Sequence, residues 1–219
     1  MSAKTDTPFE QRVHPRLKAW ADALLAESPS AKPFVILDRD GVINEQLSYY
    51  IKGPEDVQPV PGSLQTIDQL NQRGLRVAVA TNQSGIAKGV FSRSDVDAIH
   101  RKICDQLAPS GPKDVIQHFA ICPHQEGDDC PCRKPRTGLL QEISNRFAAD
   151  ITGSPFVGDS YRDLLAALRY DLVPVLVASG NGLATMTELA QNKSAENDRL
   201  KETLSCFASL KRFYQALFA

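Results

Sequence analysis

The stretch Phe34–Asn44, "FVILDRDGVIN", decides the reading of this chain. Four apolar residues run into two aspartates separated by one arginine, and a glycine comes next. A short continuous apolar run suits a strand buried on both faces, as in parallel sheets. Asp38 and Asp40 lie two residues apart, so a regular strand would point both carboxylates the same way. Two such groups repel unless a cation or a shared proton relieves them. Either they cap the turn and the next helix, as aspartates often do, or they hold Mg²⁺, which takes oxygen ligands beside water and phosphate.

Working outward, further apolar runs occur at 75–80 ("LRVAVA"), 116–121 ("IQHFAI"), 155–158 ("PFVG") and 173–177 ("VPVLV"). Helical periods separate them. Leu64, Ile67 and Leu70 share a face over 63–73, and Gly74 supplies the stop. Ser92, with Asp95 at a capping-box position, opens a second helix, Thr137 a third, and 161–170 forms a fourth. Strands alternating with helices predict an α/β fold: a doubly wound parallel sheet with helices on both faces. Residues 1–31 read as an N-terminal extension carrying a short amphipathic helix over 15–27. Residues 32–219 read as one domain, ending in a single helix over about 196–218. Only Glu45–Pro61 separates the first motif from the next helix, too little for a large cap domain.

In such sheets the working groups collect at the carboxyl ends of the strands. Here those ends carry "DRD", then "TNQSG", then a Cys/His cluster with "RKP", then "GDSYRD". Thr81 and Asn82 fit a turn, or a hydroxyl and an amide that hold phosphate oxygens with nearby backbone N–H groups. Arg133 and Lys134 read as a solvated pair or as phosphoryl-neutralising cations. Asp159 is a third oxygen source for Mg²⁺. Cys122, His124, Cys130 and Cys132 form C-x-H-x5-C-x-C, a closed four-ligand set for a structural Zn²⁺. Cys104 and Cys206 read as core residues on helical faces.

The ordered set "DRDGVIN", "TNQSG", "RKP" and "GDSYRD" resembles the four motifs of the haloacid-dehalogenase-like phosphohydrolases, over about residues 34–182. The resemblance implies Mg-dependent hydrolysis through an aspartyl-phosphate on Asp38. Asp40 would protonate the leaving alcohol and later activate water, while Thr81 and Lys134 would stabilise the phosphoryl group. Mg²⁺ would sit on Asp38, the backbone carbonyl of Asp40 and Asp159, with Asp163 supporting them. The zinc loop resembles a branch acting on sugar bisphosphates and on histidinol phosphate. "YIK", "PVPGS" and "TNQSGIAKGVF" resemble its sugar-bisphosphate members more closely. The implied reaction removes the 7-phosphate of D-glycero-D-manno-heptose 1,7-bisphosphate, a lipopolysaccharide precursor, with histidinol phosphate as the alternative substrate. Implied substrate contacts are Asn44, Ser48, Tyr50, Thr81, Asn82, Gln83, Ser84, Arg133 and Lys134. Ser160 and Asn181 stand where many relatives carry lysine.

A net charge of −1 gives no basic footprint for nucleic acid, and no apolar run approaches the roughly 20 residues of a membrane span. The start of the chain lacks a secretory apolar core. Five cysteines, three of them clustered beside a histidine, suit a metal in a reducing compartment better than disulfides. These features predict a soluble, cytoplasmic protein; the resemblance implies a small phosphorylated sugar as its substrate, and the chain is expected to be a monomer.

Overall fold

The computed structural model describes residues 11–28, 33–108 and 115–219. Six strands form one parallel sheet: β1 (Phe34–Leu37), β2 (Arg76–Asn82), β3 (His118–Cys122), β4 (Pro155–Gly158), β5 (Val173–Val177) and β6 (Ser205–Phe207). Their spatial order is β3-β2-β1-β4-β5-β6. The helices are α1 (Pro15–Leu25), α2 (Ser63–Gln72), α3 (Arg93–Leu107), α4 (Gly138–Phe147), α5 (Tyr161–Arg169), α6 (Gly182–Gln191), α7 (Ala195–Thr203) and α8 (Leu210–Phe218).

Strand β1 shows why the apolar runs are continuous. Val35 and Leu37 face a core shared with α1, α2, α3 and α8, whereas Phe34 and Ile36 face the opposite core against α4. All four residues are buried, and each such side chain contributes roughly 1.5–3 kcal/mol. Leu37 pairs with Val79 on one side and Val157 on the other, so β1 and its motif sit mid-sheet. The chain leaves β1 for β2 on one side, while β4 occupies the other side. The crevice above that reversal of strand order is where ligands enter such folds. Between β1 and α2 the structure has only loop and a short 3₁₀ turn, Pro54–Asp56, so no cap domain is inserted there.

Capping sets the helix starts. Ser92 and Asp95 form the capping box of α3, and Ser160 and Asp163 form that of α5. Gly74, at φ 76°, ends the α2 turn in a conformation open to glycine.

Two expectations need correction. The tail is not one helix: α7 stops at Thr203, β6 adds to the sheet through Val175↔Ser205 and Val177↔Phe207, and α8 comes after it. The helical spacing of Leu200, Leu204, Phe207 and Leu210 runs across that break, and sheet pairing overrides it. Cys206 consequently lies buried on a strand, not on a helical face. Helix α6 adds an element over a stretch for which no helix was named from the sequence.

The start of the chain is fastened to this tail. Arg12 exchanges backbone hydrogen bonds with Cys206 at 3.1 and 2.9 Å. Leu17, Trp20 and Ala21 of α1 are buried, with Trp20 against the rings of Phe213 and Phe218. Residues 1–10 and 29–31 of the expected extension lie outside the described residues.

Candidate active site

Three carboxylates converge at the switch point. One oxygen each of Asp38, Asp159 and Asp163 lie within 4.8 Å of one another. Lys134 is the cation among them. Its Nζ lies 3.0 Å from Asp38 Oδ1 and 2.5 Å from Asp163 Oδ1, and donates to the Ala80 carbonyl at 2.7 Å. Only 2 % of Lys134 is exposed, so the ion pairs are poorly screened. Burial would lower the lysine's pKa, but Asp163 and Asp38 outweigh it and raise it. Burial and the charge of Asp163 push Asp38 up from 3.8 to about 7, and burial with Asp163 and Asp38 pushes Asp159 to about 8. One ammonium does not balance three carboxylates, and an all-oxygen set of this kind fits a hard cation such as Mg²⁺.

The cluster is built into the backbone. Gly41, at φ 81°, and Gly180, at φ 59°, both pack against Asp159 Oδ2, where a Cβ on either would overlap it. Asn181 N–H donates to Asp159 Oδ2 at 2.7 Å, and Thr185 Oγ1 donates to the Asp159 carbonyl at 2.7 Å. Gly158 lets Asp163 approach, and Ser160 donates to Asp163 Oδ2 through its N–H at 3.0 Å and its hydroxyl at 2.6 Å. Asp163 therefore starts α5 and pairs with Lys134 at the same time.

Asp40 does not join the carboxylate cluster. Strand β1 ends at Leu37, and the Asp40 carboxylate is held by Arg39 and by Gln83 instead. Asp38 Oδ1 accepts from the Arg39 N–H at 2.7 Å. Both aspartates line a cavity of about 350 Å³, with Thr81, Asn82, Gln83, Ser84, Tyr50, Arg133, Lys134 and Asp159. Asn44 and Ser48 do not line it. Asn44 is buried and ties its own loop, its Oδ1 accepting from Gln58 N–H at 2.6 Å and its Nδ2 donating to the Glu45 carbonyl at 3.0 Å. Ser48 lies exposed on the neighbouring loop.

Several of the expected substrate contacts also have structural duties. The Asn82 amide grips the Lys134 backbone twice, accepting from its N–H at 3.0 Å and donating to its carbonyl at 3.1 Å. Gln83 Nε2 bridges Asp40 Oδ2 at 3.0 Å and Thr81 Oγ1 at 2.9 Å. Tyr50 accepts from Lys88 Nζ at 3.0 Å at the rim. Sequence reasoning did not single out Arg39, Lys88 or Arg162, which also line the cavity. Arg162 lies two residues beyond Ser160, so cationic charge remains available there. The signal that could have found it was its position in the first turn of the helix after Asp159.

The four zinc-loop donors also assemble. Cys122 Sγ lies 3.8 Å from Cys130 Sγ and 3.6 Å from His124 Nδ1, and His124 Nδ1 lies 3.3 Å from Cys132 Sγ. Sulfurs about 2.3 Å from a tetrahedral Zn²⁺ stand ~3.8 Å apart, so the donor set fits that ion. Burial pushes the Cys122 thiol up to about 12, a cost a bound cation would remove. The loop reaches the cavity through Arg133, whose Nη1 donates to the His124 carbonyl at 3.0 Å.

A pH-dependent response to Mg²⁺ is expected from the carboxylates. Raised pKa values mean the folded chain keeps protons that the unfolded chain has released. Stability without the ion therefore falls as pH rises from about 4 toward 8. Mg²⁺ should raise the melting temperature more at pH 8 than at pH 5. Equal shifts at both pH values in differential scanning fluorimetry would contradict this.

Motif order, sheet topology and this constellation define a haloacid-dehalogenase-like phosphatase, and the sequence profile of the HAD-hydrolase-like family matches residues 131–204. The D-glycero-beta-D-manno-heptose-1,7-bisphosphate 7-phosphatase of Bordetella bronchiseptica is 43% identical over 174 residues, covering 80% of this chain and 94% of that protein. The Campylobacter jejuni D-glycero-alpha-D-manno-heptose-1,7-bisphosphate 7-phosphatase is 36% identical over 147 residues, 66% of this chain and 81% of that one. The crystal structure of the D,D-heptose 1,7-bisphosphate phosphatase of B. bronchiseptica, complexed with magnesium and phosphate, superposes with a TM-score of 0.75. It is 39% identical and covers 84% of this chain and 97% of that one. The chain belongs to the family of the D-glycero-D-manno-heptose-1,7-bisphosphate 7-phosphatases, and it is an enzyme, a phosphatase.

Proposed function

We propose that this enzyme removes the 7-phosphate of D-glycero-D-manno-heptose 1,7-bisphosphate by way of an aspartyl-phosphate on Asp38. The observation that carries the reading is the Asp38 carboxylate facing the cavity, with Lys134 Nζ at 3.0 Å and Asp159 and Asp163 beside it. Phosphoryl transfer depends on alignment and charge neutralisation more than on elaborate covalent chemistry. An Asp38 oxygen attacks phosphorus while Asp40 supplies a proton to the departing sugar oxygen. Water then attacks the aspartyl-phosphate, with Asp40 taking its proton. Lys134 and Thr81 neutralise and hold the phosphoryl oxygens, and Arg133 reaches toward the rest of the substrate. When bound, Mg²⁺ on Asp38, Asp159 and the Asp40 carbonyl would supply further charge neutralisation.

Zn²⁺ on Cys122, His124, Cys130 and Cys132 would fix the loop that presents Arg133 and Lys134. A reducing cytoplasm would keep those cysteines available as thiolates. Among the described residues no helix is long and apolar enough to cross a membrane. The reading includes action as a monomer at the lipopolysaccharide-precursor stage.

The test compares kcat/KM for heptose 1,7-bisphosphate and histidinol phosphate, with Mg²⁺ present. We expect the heptose ester to be favoured at least a hundredfold. Preference for histidinol phosphate would keep the chemistry and overturn the substrate.

A further inference from the structure

Arg39 stands between the two motif aspartates, and its side chain is among the most buried in the protein, at 1 % exposure. It folds back on the next residue. Its Nε donates to Asp40 Oδ1 at 2.9 Å and its Nη2 to Asp40 Oδ2 at 2.7 Å. Gln83 Nε2 adds a third donor to Oδ2 at 3.0 Å. The remaining guanidinium nitrogen, Nη1, is buried without an acceptor among the described residues. A buried cation is poor as a stabilising device, because desolvation offsets much of what its pair returns. Its fork is good at fixing a plane, since two parallel donors leave a carboxylate no freedom to rotate.

Each carboxylate oxygen offers two lone pairs. Oδ2 uses both, one for Nη2 and one for Gln83, whereas Oδ1 uses one. We propose that the Arg39 fork and Gln83 are positioning groups for the acid–base step: they fix the Asp40 carboxylate and leave the second lone pair of Oδ1 as the site of the transferred proton. This rests on the phosphatase reading above. As the bond from Asp38 to phosphorus forms, the bond from phosphorus to the sugar oxygen breaks. The electron pair goes to that oxygen, and the proton on Asp40 Oδ1 joins it there. In the second step water's oxygen bonds to phosphorus, its proton goes to Oδ1, and the Asp38 oxygen keeps the pair of the bond it loses. Gln83 also holds Thr81 Oγ1, so one amide sets the acid and the phosphoryl-binding hydroxyl relative to each other.

The reading that Arg39 only ties its turn together makes a different prediction, and leaving-group chemistry separates the two. A sugar alkoxide needs a proton to leave, while p-nitrophenolate does not. The ratio kcat/KM reports the steps through departure of the alcohol, so the shared second step drops out. General acid catalysis contributes roughly 10²–10⁴-fold. In Arg39→Met and Gln83→Leu, kcat/KM should therefore fall at least tenfold more for a primary sugar phosphate than for p-nitrophenyl phosphate, with Mg²⁺ present. Arg39→Lys keeps the charge but cannot fork, and should resemble Arg39→Met. Equal losses on the two esters would overturn the proposal. If the Arg39 variants do not fold, Gln83→Leu decides alone, because it removes one donor without disturbing a buried charge. Wild-type protein inactive on both esters, or an Asp38→Asn variant that stays active, would instead remove the phosphatase reading and this proposal with it.

Discussion

Asp38→Asn should abolish phosphate release, with kcat falling at least about 10⁴-fold, in the range seen when a covalent nucleophile is removed. The amide is nearly the same size as the carboxylate and fits the same packing. It cannot form the acyl-phosphate bond, so quenched reactions with labelled substrate should show no phosphorylated protein. The substitution should also reveal what the native carboxylate does to the fold. Burial and Asp163 hold Asp38 far above its ordinary pKa, so at pH 8 its charge is carried against repulsion. Removing that charge should leave the Mg-free variant melting no lower than the wild type. A variant that is inactive because it is unfolded would contradict this, as would one that keeps more than a hundredth of the activity.

Loss of zinc should have the second-largest effect. In Cys130→Ser, bound zinc should drop well below one ion per chain by elemental analysis. Activity should fall with it for a geometric reason. Arg133 and Lys134 come directly after Cys132, and Arg133 is tied back to His124. Lys134 must thread between Asp38 and Asp163 from a loop that contains little regular structure of its own. Losing one such aligned charge costs ~3–4 kcal/mol in transition-state stabilisation, or about 10²–10³-fold in kcat. The melting temperature should fall as well, because metal binding and folding of the loop are linked. Full activity in a zinc-free protein would show that the sheet alone aligns Lys134.

Part of this candidate site could be read from the sequence because Asp38 and Asp159 lie directly past the ends of β1 and β4. β1, β2, β4 and β5 are continuous apolar runs, and the residues next after such a run land in the crevice whatever the surrounding detail. The Cys/His cluster was readable because four ligand-type residues in one short loop have few other uses. The failures have physical reasons too. β6 is three residues long and lies inside a stretch whose leucines keep a helical spacing, so only its pairing with β5 identifies it. Asn44 resembled a substrate contact, but its amide is consumed by the Gln58 and Glu45 backbone. That competition depends on where the loop folds back, which local sequence does not specify. The role of Gln83 was hidden for a similar reason: its two acceptors come from different strands' ends. Arg39 was overlooked because an arginine next to two aspartates reads as a surface ion pair until burial is known.

The seam between Arg12 and Cys206 has a consequence in time. One edge strand of the sheet is supplied by residues 205–207, and α8, which packs on α1 and α2, follows it in the sequence. Trp20 emerges from the ribosome long before its ring partners Phe213 and Phe218. The nascent chain can pair β1 with β2 and β3 while it grows, yet the apolar face of α1 and α2 waits for α8 to emerge. Closure of this seam is thus a late, long-range step of folding, set by contacts between residues far apart in sequence.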